Sequence, residues 1–156
     1  MATKLFADLK KDHRKVEDLF SQIEKAGDKA AKKREKLFQT LKLELTAHAE
    51  AEEQVLYAEI KKVEKLKDLS LEAYEEHHVV KILLEELTEL SAEDEKWMAK
   101  LTVLKEMIEH HVEEEEGEMF PKAEKSLDKE TQTEIAERIQ EVKAGVMKKK
   151  PVAVAA

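Results

Sequence analysis

The sequence is poor in the residues that interrupt helices or cross-link chains. It has no cysteine, so disulfide bonds and thiolate metal sites are excluded. It has only three glycines and two prolines in 156 residues, while 41% of the residues are charged, a composition typical of long solvated helices. A chain of this length fits one domain that can bury a core of its own.

Three further absences reduce the range of possible functions. No apolar run approaches the roughly 20 residues of a membrane span, so we expect a cytoplasmic protein without membrane contact. The 28 basic and 36 acidic residues give a net charge of −8, and aromatic residues make up only 4%, which disfavours nucleic acid as a partner. Neither a nucleophile motif nor a phosphate-binding glycine loop is present.

Apolar residues recur at helical spacing almost throughout the chain. We predict helices over residues 4–25, 29–65, 71–90 and from 95 onward, with an interruption at 117–121 because Pro121 removes a backbone donor. A short last helix is predicted over 131–147. Short connections favour antiparallel neighbours. The predicted fold is therefore all-α: an antiparallel up-down-up-down four-helix bundle with a short fifth C-terminal helix over residues 1–148, and a flexible tail over 149–156.

The chain also repeats itself. Asp12-His13 and the apolar positions that follow match Glu76-His77 at an offset of 64 residues. His48 with its downstream glutamates matches His111 with its own at an offset of 63, so one deletion reconciles the two blocks. Two similar helical hairpins predict a bundle with pseudo-two-fold symmetry.

The repeat singles out histidines and glutamates that could meet inside the bundle. His48 and Glu52 are four residues apart, as are His111 and Glu115, and this spacing returns to nearly the same helix face. The other two helices would contribute one histidine each. Burying such groups unpaired would cost several kcal/mol. We therefore predict a site for two metal ions, with iron, manganese and zinc all chemically possible. The predicted ligands are His13, His48, Glu52, His77, His111 and Glu115.

Four motifs that follow one another in a fixed order within residues 5–125 resemble those of the hemerythrin-like HHE cation-binding family. They are Asp12–Glu17, His48–Tyr57, Glu76-His77 and His110–Pro121. The resemblance implies a non-haem centre of two iron ions with an oxo or hydroxo bridge. It also implies that the four histidines are terminal ligands and that Glu52 and Glu115 are bridges.

One position departs from the oxygen-carrying members, which have a further histidine one turn after that of the third helix. Here this position is Lys81, or Ile82 if the register slips, and its counterpart in the repeat is Glu17. Both ions would then keep an exchangeable position, which suits peroxide or nitric oxide handling, or iron sensing, better than reversible oxygen carriage. We hypothesise that Glu17 and Lys81 face each other above the centre, as an ion pair or with Glu17 as an extra ligand.

The predicted function is binding or reduction of a small oxidant: oxygen, peroxide or nitric oxide. Whether the protein is an enzyme, for instance one that detoxifies peroxide or nitric oxide, is left open. The alternative is a non-catalytic module for iron sensing or storage, and the predicted assembly is a monomer or weak homodimer. His78 and His110 are assigned to outer or surface positions, and the glutamates beside the ligands to solvent. Tyr57 and Phe120 are interpreted as anchors at the ends of helices.

Overall fold

The computed structural model describes residues 4–27 and 29–149, and in these ranges it is almost entirely helical. The five long helices are α1 (Lys4–Ala26), α2 (Ala31–Ala51), α3 (Lys67–Glu89), α4 (Glu95–Glu114) and α5 (Lys129–Lys148). The two helices that precede the predicted glutamates each continue through one π-helical turn. α2 continues through the π-helical Glu52–Tyr57 and the α-helical Ala58–Ile60, and α4 continues through the π-helical Glu115–Met119 and the α-helical Phe120–Ser126.

The predicted four-helix bundle with a fifth helix is confirmed. Local signals set several of its helix ends. Gly27 follows α1 with φ of 75°, the left-handed conformation that glycine adopts without strain. The Asp94 carboxylate accepts a hydrogen bond from the Lys96 amide at 2.8 Å at the start of α4, and Asp128 accepts one from Thr131 at 2.7 Å at the start of α5.

Two apolar clusters fill the bundle, one toward each end. One contains the second half of α1, the first half of α2, the second half of α3 and most of α4, including Phe20, Phe38 and Trp97. The other contains the start of α1, the end of α2 and the start of α3, with Tyr57 and Phe120. The pairing of early α1 with late α2 shows that these neighbours run antiparallel. Six buried histidines and glutamates lie between the two clusters: His13, His48, Glu52, His77, His111 and Glu115.

Several predicted boundaries are wrong by a few residues. The second helix ends at Ile60 instead of residue 65, and α3 begins at Lys67, after the short 3₁₀ turn Glu64–Leu66, instead of at residue 71. The predicted interruption at 117–121 is a change of winding: Pro121 lies in the first turn of Phe120–Ser126, where its missing N–H is tolerated. The predicted tail over 149–156 lies outside the described residues except for Lys149.

α5 packs on one side of the bundle. It lies against α1 and α2, and it buries Ile135 and Ile139 in the second apolar cluster. This contact has no counterpart on α3 and α4 in the part of the chain that the structure describes, so α5 breaks the pseudo-two-fold symmetry. Over these same residues, no helix combines the length and apolar character needed to span a membrane.

Candidate metal centre

The structure brings all six predicted ligands together between the two apolar clusters. The four histidines come from the four helices of the bundle, and the two glutamates come from the π-helical turns that continue α2 and α4. Every one of these side chains is buried. Their exposed fractions are 4% for His13, 7% for His48, 0% for Glu52, 8% for His77, 4% for His111 and 1% for Glu115.

The histidines form two pairs. The rings of His13 and His48 have centroids 5.0 Å apart and meet edge to face. The rings of His77 and His111 have centroids 4.7 Å apart, and their Nε2 atoms are separated by 3.1 Å. We call the first pair the first subsite and the second pair the second subsite.

Each glutamate links the two subsites. Glu52 Oε1 lies 3.2 Å from Nε2 of His48 and 3.4 Å from Nε2 of His77. Glu115 Oε1 lies 3.3 Å from Nε2 of His13 and 3.2 Å from Nε2 of His111. Each carboxylate therefore contacts one histidine from each pair, which is the arrangement a bridging ligand needs.

A carboxylate holds the outer nitrogen, Nδ1, of every histidine. Because an ionised carboxylate only accepts hydrogen bonds, Nδ1 carries a proton in each case, and Nε2 faces the centre, where it can bind a metal ion once its own proton is lost. Such partners fix the orientation of metal-binding histidines and raise their basicity. The bonds join His13 to Glu116 (2.6 Å), His48 to Asp12 (2.9 Å), His77 to Glu53 (3.0 Å) and His111 to Glu76 (2.7 Å).

Sequence reasoning placed Glu53 and Glu116 at the solvated surface, whereas the structure makes them partners of the site. Each directly follows a predicted ligand, and each reaches across the bundle to the histidine of another helix. The signal was available in the repeat: Glu53 and Glu116 are equivalent positions, and so are Asp12 and Glu76. The four outer carboxylates therefore obey the same pseudo-two-fold symmetry as the histidines.

Tyr57 is the residue of the centre that sequence reasoning misplaced. Its hydroxyl donates to Glu115 Oε2 at 2.6 Å, and it lies 3.1 Å from Glu52 Oε1. It also lies 3.3 Å from His111 Nε2 and 3.4 Å from His77 Nε2. On an α-helix Tyr57 would point away from Glu52, but in a π-helical turn residues i and i+5 share a face. Tyr57 is therefore part of the centre and not only an anchor.

Phe120, which directly follows the other π-helical turn, occupies the position equivalent to Tyr57 in the repeat. Its ring stacks nearly parallel to that of His13, with centroids 6.0 Å apart and an angle of 8° between planes. The ring of Tyr57 similarly lies 5.3 Å from that of His77. The two aromatic rings thus support corresponding histidines, but only the second subsite receives a hydroxyl.

The hypothesis that Glu17 and Lys81 face each other above the centre is wrong. Glu17 pairs with Arg14 at 3.2 Å, and its side chain is 49% exposed. Lys81 is also exposed and lines a groove at the surface. His78 and His110 are exposed, as predicted for outer or surface positions.

Burial and charge act against each other in the centre. Burial lowers the pKa of His48, but the charge of Glu52 and the hydrogen bond to Asp12 outweigh it and raise the pKa to about 10. Burial also lowers the pKa of His111, but the neighbouring carboxylates outweigh this effect and raise that pKa well above its usual value. For Glu115, burial raises the pKa, but His111 and its hydrogen bond hold that pKa well below its usual range. The site thus favours positive charge at its centre.

The donor set fits a cation. Four buried atoms of the six candidate ligands have no hydrogen-bond partner: Nε2 of His13 and His48, Oε2 of Glu52 and Oε1 of Glu115. When Nε2 is unprotonated, as in a metal ligand, the histidines and carboxylates present only lone pairs to one another, and positive charge must lie between them. In the absence of a metal ion, protons on histidines such as His48 supply that charge. Ligand atoms of His13, His48, Glu52 and Glu115 lie within 4.8 Å of one another, as do those of Glu52, His77 and His111.

Two cavities adjoin the centre. The smaller, of about 30 Å³, is bounded by the four histidines and by apolar side chains that include Val16, Leu45 and Val80. It offers room for a very small molecule. The larger, of about 520 Å³, is a groove between α2 and α3 whose walls include Ala49, His77 and Val80, which also bound the smaller cavity.

Fold and site together define a helical-bundle protein with a buried cation site of histidines and carboxylates. The chain belongs to the hemerythrin HHE cation-binding domain family, whose model matches residues 4–123. The resemblance inferred from the sequence motifs is thereby confirmed.

Two relatives contain the matching sequence as part of a longer protein. The chain is 32% identical to a DNA nickase of Nostoc sp. over 126 residues, which are 81% of this chain and 35% of that protein. It is 29% identical to an uncharacterised hemerythrin-like protein of Schizosaccharomyces pombe over 135 residues, 85% of this chain and 66% of that protein. The chain thus spans about a third of the first relative and two thirds of the second.

A solved structure shares the fold. A hemerythrin HHE cation-binding domain-containing protein of Mycobacterium kansasii superposes with a TM-score of 0.75 at 24% identity. The match covers 93% of this chain and 90% of that one. At this identity the likeness supports the architecture of the bundle.

Proposed function

We propose that the six converging side chains bind two iron ions and that this centre binds or reduces a small oxidant: oxygen, peroxide or nitric oxide. The observation that carries the proposal is a set of buried ligand atoms without hydrogen-bond partners, contributed by α1 and by α2 and α4 with their continuations, beside a small cavity with apolar walls. Bound iron would supply the electrons that reduction requires.

Two ions fit the donor set better than one. The histidines form two separate pairs, and Glu52 and Glu115 each contact both pairs. Imidazole and carboxylate suit first-row divalent metals in general, and the family resemblance favours iron among them. Four histidines and two carboxylates shared between two ions also leave positions for an exchangeable ligand.

The residues of the chain have distinct tasks in this proposal. The four outer carboxylates keep Nδ1 protonated and aim each Nε2 inward. The Tyr57 hydroxyl holds Glu115 at 2.6 Å and can donate a proton within the centre. Val16, Leu45 and Val80 exclude bulk water from the small cavity, which limits ligands by size.

The groove between α2 and α3 supplies a route from solvent to the small cavity. The two cavities share Leu45, Ala49, His77 and Val80 as walls. Lys42, Lys81 and Glu85 line the outer part of the groove, so its mouth is polar and its floor is apolar. This arrangement favours the passage of a small uncharged oxidant over a large substrate.

The experiment is to follow iron-loaded protein after addition of hydrogen peroxide, by stopped-flow absorption and with an oxygen electrode. We expect near-ultraviolet bands of the iron centre that change on mixing. Release of oxygen would identify peroxide turnover, and a parallel experiment with nitric oxide tests the other reactive ligand. A protein that binds iron but reacts with neither would overturn the oxidant proposal in favour of an iron-sensing or storage module.

A further inference from the structure

The outer carboxylates of the two subsites differ in their own partners. In the first subsite, Lys143 Nζ lies 2.6 Å from Asp12 Oδ2, the oxygen that also holds His48. Arg14 Nη2 lies 3.0 Å from Glu116 Oε1, while the other oxygen of Glu116 holds His13. Both carboxylates behind the first subsite are therefore neutralised by a basic side chain.

The second subsite has no such cations. Among residues 4–27 and 29–149, no lysine or arginine nitrogen lies within 4.0 Å of the carboxylate oxygens of Glu53 or Glu76. Apart from His111 itself, the basic group that the described residues place near Glu76 is the exposed His110, whose Nε2 is 3.8 Å away. Glu114 lies close enough to Glu76 and Glu72 for electrostatic repulsion between the carboxylates. The surroundings of Glu76 are therefore negatively charged and do not neutralise its carboxylate.

The fold explains this difference. Lys143 belongs to α5, which packs mainly on α1 and α2 and so places this lysine beside Asp12 of the first subsite. Arg14 follows His13 directly, whereas the position that follows His77 is His78, whose side chain is exposed. The repeat thus builds two similar subsites. They become unequal through α5, which lies outside the repeat, and through positions 14 and 78, at which the two copies differ.

A lysine or arginine that pairs with an outer carboxylate makes the histidine bonded to that carboxylate a weaker metal ligand. The carboxylate shares its charge with the lysine or arginine, so it accepts the Nδ1 proton less strongly and donates less electron density to the ring. The positive side chain also repels a metal ion held a few ångströms further on, in surroundings where charges are poorly screened. Both effects lower the affinity of the first subsite.

We propose that the two subsites bind metal unequally: His77 and His111 take the first ion tightly, and His13 and His48 take the second more weakly because Lys143 and Arg14 neutralise the carboxylates behind them. Lys143 and Arg14 are positioning residues, since they act through Asp12 and Glu116 and do not touch the metal. The inference rests on the proposed two-metal centre.

The test is a calorimetric titration of metal-free protein with Co²⁺, with the visible absorption of Co²⁺ recorded in parallel. We expect two resolved steps that differ by about tenfold or more in affinity, the range over which changes in such outer partners act. His77→Ala should remove the tight step, whereas His13→Ala should retain it. Equal steps, or a tight step that survives in His77→Ala, would overturn the inference.

The lysine and arginine variants test the cause. Lys143→Met and Arg14→Ala should each strengthen the weak step several-fold and leave the tight step in place, and Arg14 is 57% exposed, so its replacement leaves the core intact. Lys122→Met is the matched control, because Lys122 pairs with the exposed Glu118. Unchanged titrations in both variants would contradict the inference of unequal subsites and leave the proposed function intact. Absence of any Co²⁺ or iron binding would contradict both the inference and the proposed function.

Discussion

The Tyr57 hydroxyl lies 2.6 Å from Glu115 Oε2 and joins the two π-helical turns of the bundle across its centre. At the equivalent position of the repeat, just after the other turn, stands Phe120, which packs on His13 without a polar contact to the glutamates. One hydroxyl therefore distinguishes the two halves at the point where the buried carboxylates of Glu52 and Glu115 meet. Burial and the charges of both glutamates raise the pKa of Tyr57 well above 10, so the hydroxyl stays protonated and acts as a donor at physiological pH.

Tyr57→Phe removes this donor while keeping the ring, as Phe120 does in the other half. We expect the metal-free variant to lose about 1.5–3 kcal/mol of unfolding free energy, the contribution of a hydrogen bond to a charged group. The affinity for metal should fall about tenfold, as it does when other hydrogen-bond partners of metal ligands are removed. Urea unfolding and a Co²⁺ titration measure the two effects.

Tyr74→Phe is the control for that substitution. The Tyr74 hydroxyl donates to the backbone oxygen of Glu53 at 3.0 Å and does not reach the bridging carboxylates. Its loss should leave metal affinity close to that of the unaltered protein. Equal effects of the two substitutions would show that the hydroxyl of Tyr57 has no special role in the centre.

Glu115→Ala removes a carboxylate that contacts a histidine of each subsite, at 3.3 and 3.2 Å. We expect the variant to bind less than about one iron per chain, because both subsites lose a ligand. Glu118→Ala alters the same turn at an exposed position and should retain the full metal content. Iron analysis after reconstitution and desalting measures both, and full iron content in Glu115→Ala would exclude that carboxylate as a bridge.

Metal removal should lower stability, because the ligands are buried and the unfolded chain offers no such site. At a free metal concentration of about 100 times the dissociation constant, binding at one site stabilises by about 2.7 kcal/mol. For a chain of this size that corresponds to a rise in Tm of several degrees. Thermal unfolding with and without Co²⁺ measures the shift. A His13→Ala, His77→Ala double variant should show little of it, and an equal shift in that variant would place the stabilising ion elsewhere.

The stability of the metal-free protein should depend on pH in a defined direction. The pKa of His48 is raised from 6.5 to about 10 in the folded state, so its stabilising contribution is fully present below pH 6.5 and is lost as the pH rises through about 10. His77 and His111 shift in the same direction. Urea unfolding in the presence of a chelator should therefore show stability that falls from pH 6.5 to pH 10, and a rise over that interval would contradict these charge states.

The same protonation makes metal affinity depend on pH. At neutral pH the metal-free protein holds a proton on His48 that a metal ion must displace, so the apparent affinity should increase with pH up to about 10. Proton release on metal binding, measured by calorimetry in buffers of different ionisation enthalpy, reports the number of protons displaced. Binding without proton release would show that the histidines are already neutral.

Ala49→Phe should narrow the passage between the groove and the small cavity, because Ala49 lines both. We expect several-fold slower association of azide with the iron-loaded protein and little change in iron content. Thr46→Phe is the matched control one turn earlier on α2, since Thr46 lines the groove but not the small cavity. Equal association rates in the two variants would place the route of access elsewhere.

Helical periodicity and the internal repeat were sufficient to predict the bundle and to identify the six converging side chains, because four-residue spacing defines a face on any regular helix. The same spacing rule misplaced Tyr57: the switch from α- to π-winding at Glu52 depends on packing and has no local signature. It also failed for Glu17 and Lys81, whose partners depend on tertiary contacts. Lys143, at the far end of the chain, could be linked to Asp12 only once the position of α5 was known.

The most direct test of the account is the number of iron ions bound per chain after reconstitution under reducing conditions, measured by mass spectrometry of the metal against protein concentration. We expect about two ions for the unaltered protein and about one or fewer for either His48→Ala or His111→Ala, one variant for each subsite. Iron content at background in the unaltered protein, or unaffected by both substitutions, would contradict the central claim that these histidines and glutamates hold a two-iron centre.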